Sequence, residues 1–299
     1  MHFKHLDLNL LVALDALLTE KSVTRTAKKL HLSQSAISGA LARLREYFDD
    51  EILVPVGRVM AMTPLSQRLA DPLREVLLQI QATIEIKPEF IPMKSNRHFK
   101  VMGSDYPTSV LLADTMRVIS LEAPHITMDI ISPSDRYLEL LDRGEIDLML
   151  MPEKYISDDH PSEVLFEDSY TCVVWSGNSL VADSLTLDQF MALGHVSTMF
   201  GTNGQTPSFE EWFLKSSGLS RRIEVSTSNF NTLPQLVIGT NRIATMHTRL
   251  AKMFANYFPL RLLEPPMQTP ILIEKMQWHR FLENDASHIW LRSVLRRLL

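Results

Sequence analysis

The stretch SVTRTAKKLHLSQSAISGALARLR, residues 22–45, decides how the chain begins to fold. Ser22 or Thr24 can cap a short helix that runs to about Leu30, since a side-chain oxygen there satisfies a free N–H of the first turn. His31 and Leu32 make a tight connection, and Ser33 caps a further helix from Gln34 to about Tyr47. On that helix Ala36, Ile37, Ala40, Leu41 and Leu44 share one side, and Gln34, Ser35, Ser38, Gly39, Ala42 and Arg43 share the other. Small polar residues on an outward face allow a close approach to base edges. Gly39 in mid-helix costs about 1 kcal/mol relative to alanine, a cost that makes sense where something presses on that face. Ala27 has the size that a tight helix crossing requires.

Working outward, residues 8–20 form an apolar helix before this pair, and residues 52–62 alternate loosely around a Gly57-Arg58 turn, as a short hairpin does. Three helices and a hairpin make a winged helix-turn-helix, mostly α, whose third helix enters the major groove. Charge agrees. The chain has 299 residues and a net charge of −5, yet residues 1–45 hold seven Lys or Arg against three acids, a net of +4, and the remainder is −9. A basic head on an acidic body points to a polyanion met by the head alone. Gln34, Ser35 and Ser38 can hydrogen-bond bases, and Arg43 can reach guanine or phosphate. The DNA-contacting set read here is Ser22, Thr24, Ser33, Gln34, Ser35, Ser38, Arg43 and Arg58, the last for the DNA backbone.

Thr63-Pro64 opens the next helix, with a cap followed by a first-turn proline, and the helix reaches about Ile86. Leu69, Leu73, Val76 and Ile80 recur at heptad spacing, which reads as a dimer seam or as the buried face of an ordinary amphipathic helix. Pro72 should kink it. Residues 87–97 read as a linker. Beyond it strands and helices alternate, which predicts parallel sheets covered by helices, and some 200 residues call for two α/β subdomains. The expected division is a DNA-binding domain at 1–62, a linker helix and hinge at 63–97, and a regulatory domain at 98–299. Within the last, subdomain I takes about 98–166 and 268–299, and subdomain II about 167–267.

Ligands of open α/β sheets sit beyond the carboxyl ends of the strands. The strand Phe99–Gly103 runs into Ser104, Asp105 and Tyr106 before a helix near Pro107, where a hydroxyl beside a helix N-terminus can meet an acidic or phenolic oxygen or simply cap the helix. Met199, Phe200, Phe230, Thr245 and His247 follow other strands and complete the candidate ligand set. Arg249 is the only arginine expected near these strand ends, so a neutral or weakly acidic aromatic ligand fits better than a sugar phosphate.

Other classes are excluded or disfavoured. The best apolar run, Leu8 to Leu18, contains Asp15 and is shorter than the roughly 18 residues a membrane span needs. No secretory signal is read at the start, and the single cysteine, Cys172, permits no internal disulfide, so a cytoplasmic protein is expected. No glycine-rich phosphate loop and no His-x-x-x-His or His-x-His pair occurs. Neither a cofactor nor a metal site is expected, and the chain does not read as an enzyme.

Leu8-Asn9-Leu10-Leu11, Ala27-Lys28-Lys29-Leu30, Leu32-Ser33-Gln34-Ser35-Ala36-Ile37-Ser38 and Leu41-Ala42-Arg43-Leu44-Arg45 resemble the head of LysR-type transcriptional regulators. Phe209-Glu210-Glu211-Trp212-Phe213-Leu214, Arg242-Ile243-Ala244-Thr245-Met246 and Ile289-Trp290-Leu291-Arg292 resemble the NodD-like branch, which regulates nodulation genes. Two departures stand out. Ser35 replaces the usual proline, and Pro55 stands where the hairpin normally carries an arginine. The resemblance implies a periplasmic-binding-protein-like effector domain, a small aromatic or phenolic inducer held between its subdomains, self-association to a dimer and then a tetramer, and promoter DNA and RNA polymerase as partners. The rival readings are a solute-binding protein with a helical dimerisation head and an enzyme with an α/β body.

Overall fold

The computed structural model describes residues 6–57, 59–84, 90–200, 206–207, 213–215, 218 and 221–299. The chain divides into two compact units, Met1–Ile86 and Lys87–Leu299.

In the first unit α1 (Asn9–Glu20), α2 (Val23–Lys29) and α3 (Gln34–Phe48) are followed by strands β1 (Leu53–Val56) and β2 (Val59–Met62) and by α4 (Pro64–Ile84). The Ser22 and Ser33 hydroxyls accept from the N–H groups of Arg25 at 3.3 Å and Ala36 at 3.1 Å, so both read caps form. Leu10, Leu14 and Leu17 of α1 close over Ala27, Ile37, Leu41 and Leu44 to make the core. Ala36, read as inward, is exposed: it lies in the first turn of α3, where the helix projects beyond the core.

Ile52 enters the wing at φ +61°, a conformation that costs a β-branched residue strain. Its side chain is fully buried. Its N–H donates to Asp50 Oδ1 at 2.6 Å, and its carbonyl accepts from Ser66 Oγ at 2.7 Å. Burial and two hydrogen bonds hold the strained turn, and the same serine ties the wing to α4. Thr63 Oγ1 caps α4 by accepting from Ser66 N at 3.2 Å. The helix continues through Pro72 without a break.

The second unit holds two sheets. The first consists of β3 (His98–Met102), β4 (Thr127–Ile131), β5 (Leu148–Pro152), β6 (Ser162–Asp168) and the late strand β13 (Leu272–Gln277), in the order β4-β3-β5-β13-β6. The second consists of β7 (Tyr170–Trp175), β8 (His195–Phe200), β9 (Thr206–Pro207), β10 (Ile223–Thr227), β11 (Ile243–His247) and β12 (Leu260–Leu263). Its order is β10-β8-β11-β7-β12, with β9 beside β8.

Neither sheet is purely parallel, contrary to the expectation from alternation. β13 runs antiparallel to both β5 and β6, and β7 runs antiparallel to β11 and β12. The reason is the double crossing of the chain: it leaves the first subdomain along β6 into β7 and returns along β13, and a returning strand meets its neighbours head to tail. β6 itself was not anticipated, because Glu163, Glu167 and Asp168 dilute the β-branched signal. The helix-like stretch 208–217 lies largely outside the described residues.

Candidate functional site

The outward side of α3 forms the first site. Gln34, Ser35, Ser38, Ala42 and Arg43 are all exposed, whereas Ile37, Leu41 and Leu44 are buried. Ser35 Oγ lies 2.9 Å from Ser33 Oγ, which fixes its hydroxyl beside the cap. Thr24 is exposed on α2, and Ser22 is half-buried at its cap. Arg58 lies outside the described residues.

The basic residues divide by role. Arg25 and Lys29 pair with Glu20, and Arg45 pairs with Glu51 while donating to the Glu51 and Leu53 carbonyls of the wing. Among the described residues Lys21, Lys28 and Arg43 have no ion-pair partner, so their charge is available to phosphate. Sequence reasoning missed Leu32, 53% exposed, and Ala36, which give the same side an apolar component suited to a thymine methyl.

The seam on α4 divides as well. Leu73 is buried in the core of its own unit, with Ala70 and Leu77 packed against that core. This corrects the reading of Leu73 as a residue presented to a partner: α1 packs on that side of the helix, and Arg74 seals it with a 2.6 Å ion pair to Asp15. Val76 and Ile80 are exposed and Leu69 is half-buried. Val12, Leu77, Ile80 and Ile84 line a groove of about 320 Å³ between α1 and α4.

The second site lies where the two sheets of the body meet. Tyr106 is buried and donates its hydroxyl to Asp168 Oδ2 at 2.6 Å, while its ring stacks on His247 at 3.8 Å between centroids. Phe230 packs edge-on to His247 at 4.6 Å, and Phe200 lies 5.4 Å from Phe230. Four of the eight residues read as ligand contacts thus gather in one aromatic cluster.

Burial holds the His247 imidazole at a pKa of about 3, so it is neutral, and its Nδ1 has no hydrogen-bond partner. Burial and the neighbouring Asp168 push the Tyr106 hydroxyl far above its ordinary range. Ser104 is half-buried, and its hydroxyl makes no capping bond to the turn that follows. Asp105 accepts instead from the backbone N–H of Asn231 at 2.7 Å. Met199 is half-buried beside β9.

Thr245 departs from this cluster. Its hydroxyl accepts from Arg221 Nη1 at 3.3 Å, and it lines an apolar gap of only about 10 Å³ with Phe190, Leu214 and Met267 inside the second subdomain. Arg221, which sequence reading did not single out, reaches Thr245 from the starting ends of the strands. It is buried and donates to Ser197 Oγ at 3.1 Å, with His195 Nδ1 3.5 Å away. It precedes β10, at the starting end of the strands, and its long side chain crosses β8 to reach the middle of β11. Glu274 was missed as well. It is buried in β13, with its carboxyl pushed up to about 8 by burial.

Comparison with known proteins assigns a family to each of the two units. The model for bacterial regulatory helix-turn-helix proteins of the lysR family matches residues 8–67, and that for the LysR substrate binding domain matches residues 94–298. Nodulation protein D of Bradyrhizobium sp. (strain ANU 289) is 43% identical over 295 residues, covering 99% of this chain and 87% of that protein. A probable transcriptional regulator from Pseudomonas aeruginosa has a similar structure, with TM-score 0.67, 27% identity and coverage of 99% of this chain and 98% of that one. Full-length OxyR from the same organism shares the fold, with TM-score 0.73 at 15% identity over 100% of this chain and 95% of that one.

Proposed function

Because this chain belongs to the LysR family of bacterial regulatory helix-turn-helix proteins, as a NodD-like transcriptional regulator, we propose that it reads promoter DNA with α3 and answers to a small aromatic or phenolic inducer held between the subdomains of its body. The observation that carries the reading is the division of α3. Its apolar residues build a core complete in itself, and its polar ones, Gln34, Ser35, Ser38 and Arg43, are left exposed in a stretch, residues 21–45, that holds six Lys or Arg and no acid.

The aromatic cluster of Tyr106, Phe200, Phe230 and His247 supports a planar apolar ligand, and the Ser104 hydroxyl supplies a polar contact. A dimer uses the Val76 and Ile80 side of α4 and the groove beside it, so that two heads read a two-fold site with half-sites about 34 Å apart per helical turn. Bodies then pair dimers into a tetramer. The protein works in the cytoplasm, without catalysis, with RNA polymerase as its partner at the promoter. Among the described residues no helix is long and apolar enough to cross a membrane.

Selection of duplexes from a random pool by the full chain tests the proposal. It should enrich a two-fold symmetric motif whose affinity falls linearly in log K against log salt. Failure to enrich any motif at low salt would remove the DNA reading.

A further inference from the structure

The helical run after β3 is not uniform: Asp105–Pro107 passes into a π segment, Thr108–Leu112, before regular α-helix resumes at Ala113–Glu122. A π segment carries an extra residue per turn and re-aims the side chains on it. Here Ser109, within it, faces Asn231 of the other subdomain. Asn231 Nδ2 donates to Ser109 Oγ at 2.9 Å, and Ser109 Oγ lies 3.1 Å from Asn231 Oδ1. One turn earlier the Asp105 carboxylate accepts from the backbone N–H groups of Asn231 and Phe230. Those two groups open the helical turns Phe230–Thr232 and Leu233–Val237, and they would otherwise be unsatisfied first-turn donors.

We propose that Asp105, Ser109 and Asn231 form a closing latch, in which a carboxylate of the first subdomain occupies the first-turn N–H donors of the second and so fixes how far the cleft can open. Asp168 anchors the same contact at the crossover: at the end of β6 it accepts from Tyr106 Oη, from its neighbour Ser169 N at 2.8 Å and from Arg249 N at 3.1 Å, joining both halves. The Tyr106–His247 stack lies in the same contact between the subdomains. Opening must break the latch together with that stack.

The test uses the full chain without any inducer, so that its failure is separate from failure of the inducer reading. Spin labels at Leu121→Cys and Tyr257→Cys, 79% and 78% exposed on the two subdomains, report their separation, and hydrogen exchange of the peptide around 229–233 reports the latch amides. Asp105→Ala should lengthen and broaden the distance distribution and speed that exchange roughly tenfold or more. Asp105→Asn should restore both, because an amide oxygen still accepts. Unchanged distances and exchange in Asp105→Ala overturn the latch, as does an Asn variant that disrupts as much as the alanine. If Asp105→Ala does not fold, Ser109→Ala and Asn231→Ala decide the matter. Equal, non-additive shifts support the latch, and additive or absent shifts overturn it.

Discussion

The two functional regions solve opposite problems. The α3 face is built from one short run of sequence, its core lies entirely on the other side of the helix, and its polar groups face outward with little to bind among themselves. The body cleft is assembled from Asp105, Tyr106, Asp168, Phe230 and His247, which the chain brings together over more than 140 residues, and its polar groups already have partners within the chain, His247 Nδ1 excepted. An interface for a large polyanion can stay open and wait, because its partner supplies the missing contacts. A cleft between two mobile halves has to satisfy its buried polar atoms in whatever state it adopts, or lose the cost of each unpaired group.

If the head is a self-contained unit, damage to its core should stay there. Leu44 is fully buried beneath α3. Leu44→Ala should cost about 2–5 kcal/mol in the stability of the head, with a collapse of hydrogen-exchange protection over α1 to α3. All four tryptophans, Trp175, Trp212, Trp278 and Trp290, lie in the body. The urea midpoint read by their fluorescence should therefore stay unchanged, and a parallel fall in it would show that the two regions are one folding unit.

The second test sharpens what the exposed face does. Gln34→Ala should remove specificity at one base position, worth about 1–3 kcal/mol, while leaving the salt slope near that of the parent. Arg43 is the contrast, since losing a phosphate contact weakens all sequences alike and lowers the slope by about one. Unchanged base preference in the Gln34 variant would mean that another surface reads the DNA.

The difference between the regions also explains what sequence reasoning could see. Helix periodicity is local, so Ile37, Leu41 and Leu44 could be separated from Gln34, Ser38 and Arg43 by spacing alone, and the Ser33 cap by residue type. Leu73 was misassigned because heptad spacing is the same whether the facing helix belongs to the same unit or to a second copy, and α1 decides between them. In the body, strand ends pointed to Tyr106, Phe230 and His247. Nothing in the residues around Asp168 or Asn231 signalled their partners, since those bonds span 62 and 126 positions. Arg221 escaped because nothing in a residue ahead of a strand shows that its side chain will cross the neighbouring strand. Glu274 escaped because an acid in the pattern Leu272-Ile273-Glu274-Lys275-Met276 reads as solvent-facing, although its neighbours Leu272 and Met276 share its buried side.

Glu274 supplies the last test, and the body alone should respond to it. Burial holds its carboxyl at about 8, well above an ordinary glutamic acid, so the folded body keeps a proton that the unfolded chain releases near 4.5. A raised folded-state pKa stabilises fully below the unfolded value and is lost as pH rises toward 8. His247 and His288, lowered to about 3 and about 4, act in the opposite sense, because unfolding lets them take up protons. Their effect is confined below about pH 6.5, where the unfolded imidazole titrates. The window from pH 6.5 to 8 therefore isolates Glu274. There body stability should fall by about 1.4 kcal/mol per pH unit, flattening as pH 8 is reached. Glu274→Gln keeps the shape and carries no proton to lose, so its tryptophan-monitored urea midpoint should be level across the same window. A parallel fall in the glutamine variant would assign the slope to another group and leave Glu274 without a role in the pH response of the body.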